Sequence, residues 1–381
     1  MKILYVTTIG LTMCFFPEHI KMLLDEGHTV ELACNDTESK VPEIYQSLNL
    51  KIHTIPFSRS PLSKSNVSAY KQLKKLVQEG QFDIVHTHTP NASAIVRLAC
   101  RKLRKNGLKV FYTAHGFHFY KGAPILNWLV YYPVEKMCSR WTDTLITIND
   151  EDYKRANEHM KAVKVEFVPG VGLNLAKFGD VTVDINSKRK ELGISPNAKI
   201  MLSVGELNEN KNHQTVIKAI KDMDVYYIIA GIGNKRDELQ TVIDAQGMTD
   251  RIKLLGHRTD VGELYAISDL FVFPSFREGL SVSLMEAMAS GLPCAVSQIR
   301  GNTDLIDENG GVYFDPHDIA DVRRALEQLD REHKEYGAYN KEKIRGFGNE
   351  AVLARLKDIY MPGTDRDSKA EQELSSVVQN G

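Results

Sequence analysis

The amino-acid sequence predicts an α/β protein with two doubly wound domains, each a parallel sheet covered by helices on both faces. Short β-branched and apolar runs alternate with longer helical stretches, and this alternation occurs twice along the 381 residues. The strands are continuous apolar runs, which is typical of parallel strands buried on both faces. The length also favours two domains, because single cores rarely grow beyond about 250–300 residues.

The two series of elements follow one another along the chain. The first has predicted strands KILYVTT, TVELAC, KIHTIPF, DIVHTHT, KVFYTAHG and TLITIN, with helices near 17–26, 66–79, 91–105 and 124–138. The second follows VEFVPGVGLNLAKF and has predicted strands KIMLSVGEL, VYYIIAGIG, RIKLLGH, LFVFPS, PCAVS and GVYFD, again separated by helices. Doubly wound sheets bind ligands at the carboxyl ends of their strands, so we expect a shared ligand in an interdomain cleft.

The joint between the two series is predicted near residues 169–178, where Pro169, Gly170 and Gly172 can act as a hinge. The end of the chain, TDRDSKAEQELSSVVQNG, has few apolar residues to bury, so we expect it to be loosely ordered. The predicted parts are an N-terminal domain (1–172), a C-terminal domain (173–346), a final helix that packs back on the N-terminal domain (about 347–361) and a flexible tail (362–381).

Composition and charge narrow the class of protein. Hydrophobic residues make up 43% and charged residues 25% of the chain, which excludes disordered and fibrous classes. The formal net charge is −1, but residues 1–170 carry 22 Lys and Arg against 16 Asp and Glu, which leaves the rest acidic. The basic half indicates an anionic partner, such as a membrane leaflet or a phosphate-bearing acceptor; scattered surface lysines would give the same sum.

The cysteines and the amino-terminal residues indicate the cellular compartment. The five cysteines are odd in number, far apart and without a C-x-x-C pair, so neither a disulfide framework nor a zinc site is indicated. MKILYVTTIG lacks the features of a signal peptide, and no stretch reaches 18 uninterrupted apolar residues. We therefore expect a cytoplasmic protein whose membrane contact, at the inner face, is peripheral.

A dinucleotide-binding fingerprint is missing. The turn after the first strand, TTIGLTMCFF, has only Gly10 where G-x-G-x-x-G would be needed, which argues against a nicotinamide enzyme. Gly231 and Gly233 follow a predicted strand in IIAGIGNKRDEL, and their backbone N–H groups can face a phosphate or a base. Such glycines are also common wherever a strand turns sharply into a helix.

Two glutamates flank a turn after the strand LFVFPS. In FREGLSVSLMEAM, Glu278 lies in the loop and Glu286 lies about one and a half turns into the next helix. Both can border a ligand across the helix start, where the N–H groups of 279–281 favour a diphosphate. Alternatively, Ser283 and Glu286 have the spacing of a capping box, and Glu278 is a solvent-facing loop residue.

The order of these motifs resembles the family-4 retaining glycosyltransferases of the GT-B fold, in the branch that builds bacterial capsular or exopolysaccharides. The resemblance covers nearly all of residues 1–361 and rests on FREGLSVSLMEAMASGLPCAVS, SVGELNENKNH, AGIGNKRDEL, DIVHTHTP, TAHGFHFYKG and PGVGLN, in the family's order. The most specific part is the pair of glutamates with seven residues between them, followed by ASGLP. The resemblance implies an N-terminal acceptor-binding domain and a C-terminal domain that binds a nucleotide sugar.

The resemblance also implies roles for single residues. Glu278 and the backbone after it hold the donor sugar, Glu286 binds the ribose hydroxyls and Lys211 grips the diphosphate. His115 helps to position the donor sugar and joins Glu278 and Lys211 as the catalytic set; a lone histidine is otherwise more often a structural residue. The remaining donor-binding residues are Gly279, Leu280, Ser281, Gly205, Gly231, Gly233 and Arg277.

Two departures from the family pattern stand out. Many members carry Gly-Arg-Leu where this chain has Gly205-Glu206-Leu207, and either Arg277 or Arg300 is a candidate replacement for that arginine. The glycine-rich loop after the first strand is reduced to Gly10. The acceptor-binding residues expected by resemblance are Gly10, His19 and His118. His86 and His88 in HTHT lack a third metal ligand, so we interpret them as packing or cleft-lining residues.

Cleavage of a sugar–diphosphate bond places negative charge on the leaving group, and an enzyme gains most by stabilising it. A lysine and helix-start N–H groups can do so without metal, so we expect no metal or other cofactor and assign Lys211 on the order of 3–4 kcal/mol of that stabilisation. The resemblance implies a UDP-sugar donor of a hexose or N-acetylhexosamine, retention of configuration, and an undecaprenyl-diphosphate-linked glycan as acceptor. No nucleic-acid partner is expected.

Residues 117–141, FHFYKGAPILNWLVYYPVEKMCSRW, combine aromatic residues with Lys121, Lys136 and Arg140. This suits a lipid interface, although an apolar helix such as 124–138 is usually part of a core. Two rival functions stay open: a nucleotide-sugar epimerase on the same scaffold, which needs no acceptor, and a non-catalytic regulator that binds a nucleotide sugar without releasing the nucleotide.

Overall fold

In the computed structural model, which describes residues 1–332 and 335–363, the strands form two parallel sheets. The first sheet has the order β3-β2-β1-β4-β5-β6-β7 and the second β10-β9-β8-β11-β12-β13. The first-sheet strands are β1 (Lys2–Ile9), β2 (Thr29–Asn35), β3 (Lys51–Thr54), β4 (Ile84–Thr87), β5 (Lys109–Ala114), β6 (Thr144–Thr147) and β7 (Lys164–Phe167). The second-sheet strands are β8 (Ile200–Val204), β9 (Tyr226–Ala230), β10 (Ile252–Gly256), β11 (Leu270–Phe273), β12 (Cys294–Ser297) and β13 (Gly311–Phe314). The predicted pair of doubly wound domains is confirmed.

Helices connect the strands of both sheets. In the first domain they are α1 (Pro17–Asp25), α2 (Ile44–Ser47), α3 (Ser65–Gly80), α4 (Pro90–Cys100), α5 (Ile125–Ser139) and α6 (Asp150–His159), with 3-10 turns at Gly10–Phe15 and Leu103–Asn106. Then follow α7 (Ala176–Gly179), α8 (Ile185–Glu191), α9 (His213–Ala219), α10 (Arg236–Ala245), α11 (Val261–Ala266), α12 (Val282–Ala289), α13 (Asn302–Leu305), α14 (Ile319–Glu332), α15 (Tyr336–Lys343), a 3-10 turn at Ile344–Phe347 and α16 (Asn349–Tyr360). The predicted helix near 91–105 is therefore shorter and is followed by a 3-10 turn.

Each sheet buries both faces because successive side chains along a strand point to opposite sides. On β1, Ile3 and Tyr5 lie in one buried cluster, while Leu4 and Val6 lie in the cluster on the other face. On β8, Ile200 and Leu202 face one cluster and Met201 faces the other. This explains why the strands are continuous apolar runs in the sequence.

The chain crosses between the domains twice. At the first crossing, Gly170 and Gly172 have φ of +90° and +83°, a region that glycine adopts without strain. The two crossings meet where Leu173 N–H donates to the Phe347 carbonyl at 3.2 Å. Helix α16 then returns to the first sheet, and three of its side chains pack in the buried cluster of Ile3 and Tyr5, namely Val352, Leu356 and Tyr360.

Three further observations concern the sequence predictions. All five cysteines are free thiols. None of the helices in residues 1–332 and 335–363 is long and apolar enough to cross a membrane. The predicted tail at 362–381 lies, from residue 364 onward, outside the described residues.

Candidate active site

The centre of the cleft lies where the order of the second sheet reverses, between the neighbouring strands β8 and β11. Such switch points are where doubly wound sheets bind ligands. Lys211 follows β8 and Glu278 follows β11, and Lys211 Nζ donates to Glu278 Oε1 at 2.7 Å. The two side chains are only 18% and 13% exposed. The structure thus brings together two of the three residues predicted to be catalytic.

The path of the lysine side chain is set by its neighbours. Its Nζ lies 4.6 Å from the centre of the Phe273 ring. A Cβ on Gly205 would lie 3.4 Å from Cδ and Cε of Lys211, so the aliphatic chain lies close against the backbone of Gly205. The predicted donor-binding residue Gly205 is therefore in place beside the lysine.

Three asparagines, none of which was predicted to be functional, hold the loop that carries Lys211. Asn208 Oδ1 accepts from the Lys211 N–H at 3.0 Å, and Asn210 Nδ2 donates to the Arg277 carbonyl at 2.9 Å. Asn212 has a φ of +52°, which asparagine tolerates better than most residues, and its side chain donates to the carbonyls of Pro274 and Pro316. The motif NENKN thus ties the loop after β8 to the loop after β11.

The turn after Glu278 lies against the N-terminal domain. A Cβ on Gly279 would lie 1.9 Å from the carbonyl oxygen of His115, so the two backbones touch and only glycine fits. Ser281 caps α12, since its side chain accepts from the Leu284 N–H at 3.3 Å. Within the described residues, the N–H groups of 279–281 form no hydrogen bond. These three donors at a helix N-terminus are free to bind an anion.

Glu286 lies on α12 and is mostly buried. Its Oε2 accepts from the Tyr265 hydroxyl at 3.0 Å. Burial raises the pKa of Glu286 to about 7, although the Tyr265 hydrogen bond and the charge of Lys177 act in the opposite direction. The alternative of a capping box formed by Ser283 and Glu286 is wrong, because the helix is capped by Ser281.

The predicted pair Gly231 and Gly233 is explained by packing. A Cβ on Gly231 would lie 1.8 Å from the Gly205 carbonyl oxygen, and one on Gly233 would lie 2.2 Å from that of Leu207. Both glycines therefore allow the turn after β9 to contact the turn after β8. Their contact with a phosphate or base stays a prediction.

His115 directly follows β5 at the domain seam, and its Nε2 lies 3.1 Å from Nδ1 of His88. Burial, together with the charge of His19, lowers its pKa to about 4, so the ring is neutral at pH 7. His86 and His88 are almost fully buried and their tilted rings are in contact, with centres 4.2 Å apart. Their predicted packing role is confirmed.

The two arginines considered as replacements at Glu206 differ in environment. Arg300 forms an ion pair with Asp152 of the N-terminal domain, donates to the Phe117 carbonyl at 2.6 Å and to the Glu278 carbonyl at 3.2 Å. It therefore ties the Glu278 turn to the other domain. Arg277 is exposed beside the same turn and is the more available cation.

Comparisons with known proteins place this cleft in a family. Residues 2–149 match the family "Glycosyl transferase 4-like" and residues 184–344 match "Glycosyl transferases group 1". The chain is 34% identical over 380 residues to EpsD of Bacillus subtilis (strain 168), which is named a glycosyltransferase. The match covers 97% of this chain and 98% of that protein. The chain is a glycosyltransferase of this family.

Two further similarities concern sequence and fold. The glycosyltransferase is 30% identical over 314 residues to the UDP-Gal:alpha-D-GlcNAc-diphosphoundecaprenol alpha-1,3-galactosyltransferase of Escherichia coli, covering 78% of this chain and 79% of that one. Its structure is similar to that of Anabaena HepE (Alr3699) in complex with UDP and glucose, with a TM-score of 0.76, 16% identity, and coverage of 94% and 99%. The shared architecture is the predicted GT-B fold.

On the N-terminal side of the glycosyltransferase, two adjoining cavities of about 260 and 290 Å³ lie at the carboxyl ends of the first-sheet strands. His118 lines both cavities and stacks on Tyr131, with ring centres 4.5 Å apart. The predicted contact of His118 with an acceptor stays a prediction. Thr8 and Asn91 line the second cavity and were missed by the sequence analysis.

The other two residues predicted to contact the acceptor lie elsewhere. His19 is buried, its Nδ1 lies 3.3 Å from the Tyr5 hydroxyl and its Nε2 lies 2.8 Å from the Val171 carbonyl oxygen, so neither nitrogen is left for a ligand. Gly10 is buried against the backbone of Ser39, where a Cβ would lie 2.2 Å from the carbonyl oxygen. The predicted acceptor contact of His19 is therefore wrong, whereas that of Gly10 stays a prediction.

In residues 1–332 and 335–363, no three side chains of His, Cys, Asp or Glu are grouped so that they could hold a metal ion.

Proposed function

We propose that this glycosyltransferase moves a hexose or N-acetylhexosamine from a UDP-sugar to an undecaprenyl-diphosphate-linked glycan during synthesis of a capsular or exopolysaccharide. The names of two similar proteins support this proposal, since one acts on a diphosphoundecaprenol acceptor with UDP-Gal and the other binds UDP and glucose. The observation that carries it is the Lys211–Glu278 pair beside three unpaired backbone N–H groups at the switch point of the second sheet.

In this proposal, the positive groups of the cleft determine where the donor binds. The diphosphate lies between the ammonium group of Lys211 and the N–H groups of 279–281, with exposed Arg277 beside it. The sugar lies against Glu278 and His115, and the ribose hydroxyls reach Glu286. In the empty cleft Glu278 neutralises Lys211; the diphosphate replaces that partner, and the Glu278 carboxylate is then free to accept from sugar hydroxyls.

Transfer requires one bond to form and one to break. The acceptor hydroxyl oxygen attacks the anomeric carbon, the bond from that carbon to the β-phosphate oxygen breaks, and the electron pair leaves with UDP. The hydroxyl proton passes to the departing phosphate oxygen, so attack occurs on the face that the leaving group occupied and the configuration is retained. Lys211 and the backbone donors stabilise the departing charge without a metal ion.

The acceptor side is proposed to dock on the inner leaflet of the cell membrane through α5. Contrary to the expectation for a core helix, this helix exposes large apolar side chains: Ile125 (77%), Leu126 (65%), Leu129 (69%), Val130, Val134 and Met137. Exposed bases flank it, namely Lys121, Arg140, Arg101, Lys102 and Lys105. Apolar side chains ringed by bases favour an anionic lipid surface, where each nearby base adds about 1 kcal/mol.

The test is release of free nucleotide from a panel of UDP- and GDP-sugars, with and without a lipid-diphosphate-linked glycan, in buffer with and without chelator. We expect UDP release that requires the acceptor and persists in chelator, and a product linkage with the anomeric configuration of the donor. A changed sugar without acceptor would indicate the epimerase. Binding with no release would indicate the regulator.

A further inference from the structure

A stack of aromatic rings lies directly behind His115 in the N-terminal domain. The ring of His88 is surrounded by Tyr5, Phe16 and His86, with ring centres at 4.5, 4.2 and 4.2 Å. Both His86 and His88 come from the motif HTHT, and neither belongs to the proposed catalytic set. Packing accounts for the ring of His88 but not for its buried polar nitrogens.

His88 has one polar partner. Its Nδ1 lies 3.1 Å from Nε2 of His115, and its Nε2 is buried with no hydrogen-bond partner in the described part of the chain. The side chain is only 2% exposed. Burial, with the charges of the neighbouring histidines, lowers its pKa well below the usual value, so the ring carries a single proton.

The position of that proton follows from the cost of unpaired groups. A buried N–H without an acceptor costs more than a buried lone pair without a donor, and orphaned buried N–H groups are correspondingly rare. The proton of His88 therefore lies on Nδ1, from which it donates to Nε2 of His115, and the lone pair lies on the partnerless Nε2. Which ring nitrogen carries the proton is set by such a hydrogen bond.

This arrangement decides the state of His115 in turn. Its Nε2 accepts from His88 and its ring is neutral, so its own proton must lie on Nδ1. Among residues 1–332 and 335–363, no group hydrogen-bonds to Nδ1 of His115. The ring is half-buried at the seam where the His115 carbonyl meets Gly279. An N–H is thus left for a ligand in the cleft.

We propose that His88 is a positioning residue that holds His115 as its Nδ1–H tautomer, so that His115 offers a hydrogen-bond donor to an oxygen of the donor sugar. The identity of that ligand rests on the proposed function, whereas the tautomer does not. With the other tautomer, His115 would present a lone pair and could only accept.

The primary test reads the imidazole nitrogens of His115 by NMR in the full-length protein without ligand, with His115→Gln used to assign the signal. We expect Nδ1 protonated and Nε2 unprotonated. Protonation on Nε2 in the wild-type protein would overturn the proposal. Because no donor or acceptor is present, this result stands or falls separately from the proposed function.

Variants distinguish positioning from packing. His88→Phe keeps a ring in the stack but removes the N–H, so we expect a mixture of His115 tautomers and a roughly tenfold lower kcat, with unchanged affinity for UDP alone. His88→Asn returns a donor near the Nδ1 position and should restore the single tautomer. The matched control is His86→Phe, because His86 belongs to the same stack but hydrogen-bonds Tyr360 and Thr113 instead of His115.

Two results with the variants would contradict the proposal. If His115 keeps its Nδ1 proton in His88→Phe as fully as in the wild type, His88 does not set the tautomer and the proposal is wrong. The same holds if His86→Phe disturbs the tautomer equally. Should His88→Phe fail to fold, the wild-type spectrum and His88→Asn still decide the matter.

Discussion

The ammonium group of Lys211 lies 2.7 Å from the carboxylate of Glu278, although the two residues are 67 positions apart in the chain. Both lie at the carboxyl ends of neighbouring strands and both are largely buried. Removing one partner of a buried pair leaves an uncompensated charge, which is strongly destabilising. The pair therefore holds a cation at the carboxyl ends of these strands, where we propose that the diphosphate binds.

Replacing Lys211 by Ala should remove the main side-chain stabilisation of the leaving group. We expect turnover, measured as acceptor-dependent nucleotide release, to fall by about 10²- to 10³-fold. Lys218→Ala, at an exposed position on α9, is the control for loss of a lysine. Normal turnover in Lys211→Ala would contradict the assignment.

The same variant should lose stability because Glu278 is left unpaired. In the double variant Lys211→Ala/Glu278→Gln, the buried charge is gone, so the free energy of unfolding should recover while turnover stays low. Denaturant unfolding of the single and double variants measures this coupling. Recovery of turnover in the double variant would show that the loss came from the stranded carboxylate alone.

Glu286 should make stability depend on pH. Its pKa is about 7 in the folded chain and about 4.5 when unfolded, so the folded state holds the proton more tightly between these values. Its contribution is therefore fully present below pH 4.5 and is lost as the pH rises through 7. The free energy of unfolding of Glu286→Gln, expressed as a difference from wild type, should therefore be about 2–3 kcal/mol higher at pH 8 than at pH 5.

Denaturant unfolding at both pH values checks this difference, and Glu18→Gln, at an exposed position on α1, is the control for loss of a surface carboxylate. An equal effect of Glu286→Gln at pH 5 and pH 8 would contradict it.

The exposed face of α5 should determine membrane attachment. Leu126→Asp and Leu129→Asp place charges where we propose lipid contact, so flotation with phosphatidylglycerol vesicles at low salt should be lost. Stability should change little, because these side chains are 65% and 69% exposed. Ile185→Asp, an exposed apolar residue of α8 in the other domain, is the control. Unchanged flotation of both α5 variants would place the contact elsewhere.

The fold could be predicted from the sequence because strand runs such as those of β1 and β8 are mostly apolar on both faces, which is what a sheet buried on both sides requires. The family resemblance then assigned Lys211 and Glu278 to one donor site, and the structure brings the two side chains together after neighbouring strands.

Contacts between turns that are distant in the chain could not be predicted. Gly231 suggested a ligand, but it makes room for the carbonyl of Gly205. Arg300 was a candidate for binding a phosphate, but in the structure it pairs with Asp152. That partner lies 148 residues away in the other domain and could not be found from the sequence. Helix α5 has the composition of a core helix, and only its neighbours show which of its side chains are left outside.

At Gly279 the backbones of the two domains are in contact, and this contact gives a sharp test of the arrangement. A methyl group there would lie 1.9 Å from the carbonyl oxygen of His115, which is backbone and cannot swing aside. Gly279→Ala should therefore hold the Glu278 turn away from His115. A displacement of about 1 Å can cost about a hundredfold in rate, so we expect a turnover loss of at least that size.

Affinity for UDP alone should change much less in Gly279→Ala, because Lys211 and Glu286 belong to the C-terminal domain and keep their places. Gly346→Ala is the matched control, since its added methyl would meet nothing within 4 Å. Small-angle scattering of Gly279→Ala should show a larger radius of gyration than wild type. Full turnover in this variant would mean that transfer occurs with the domains further apart than they are in this structure.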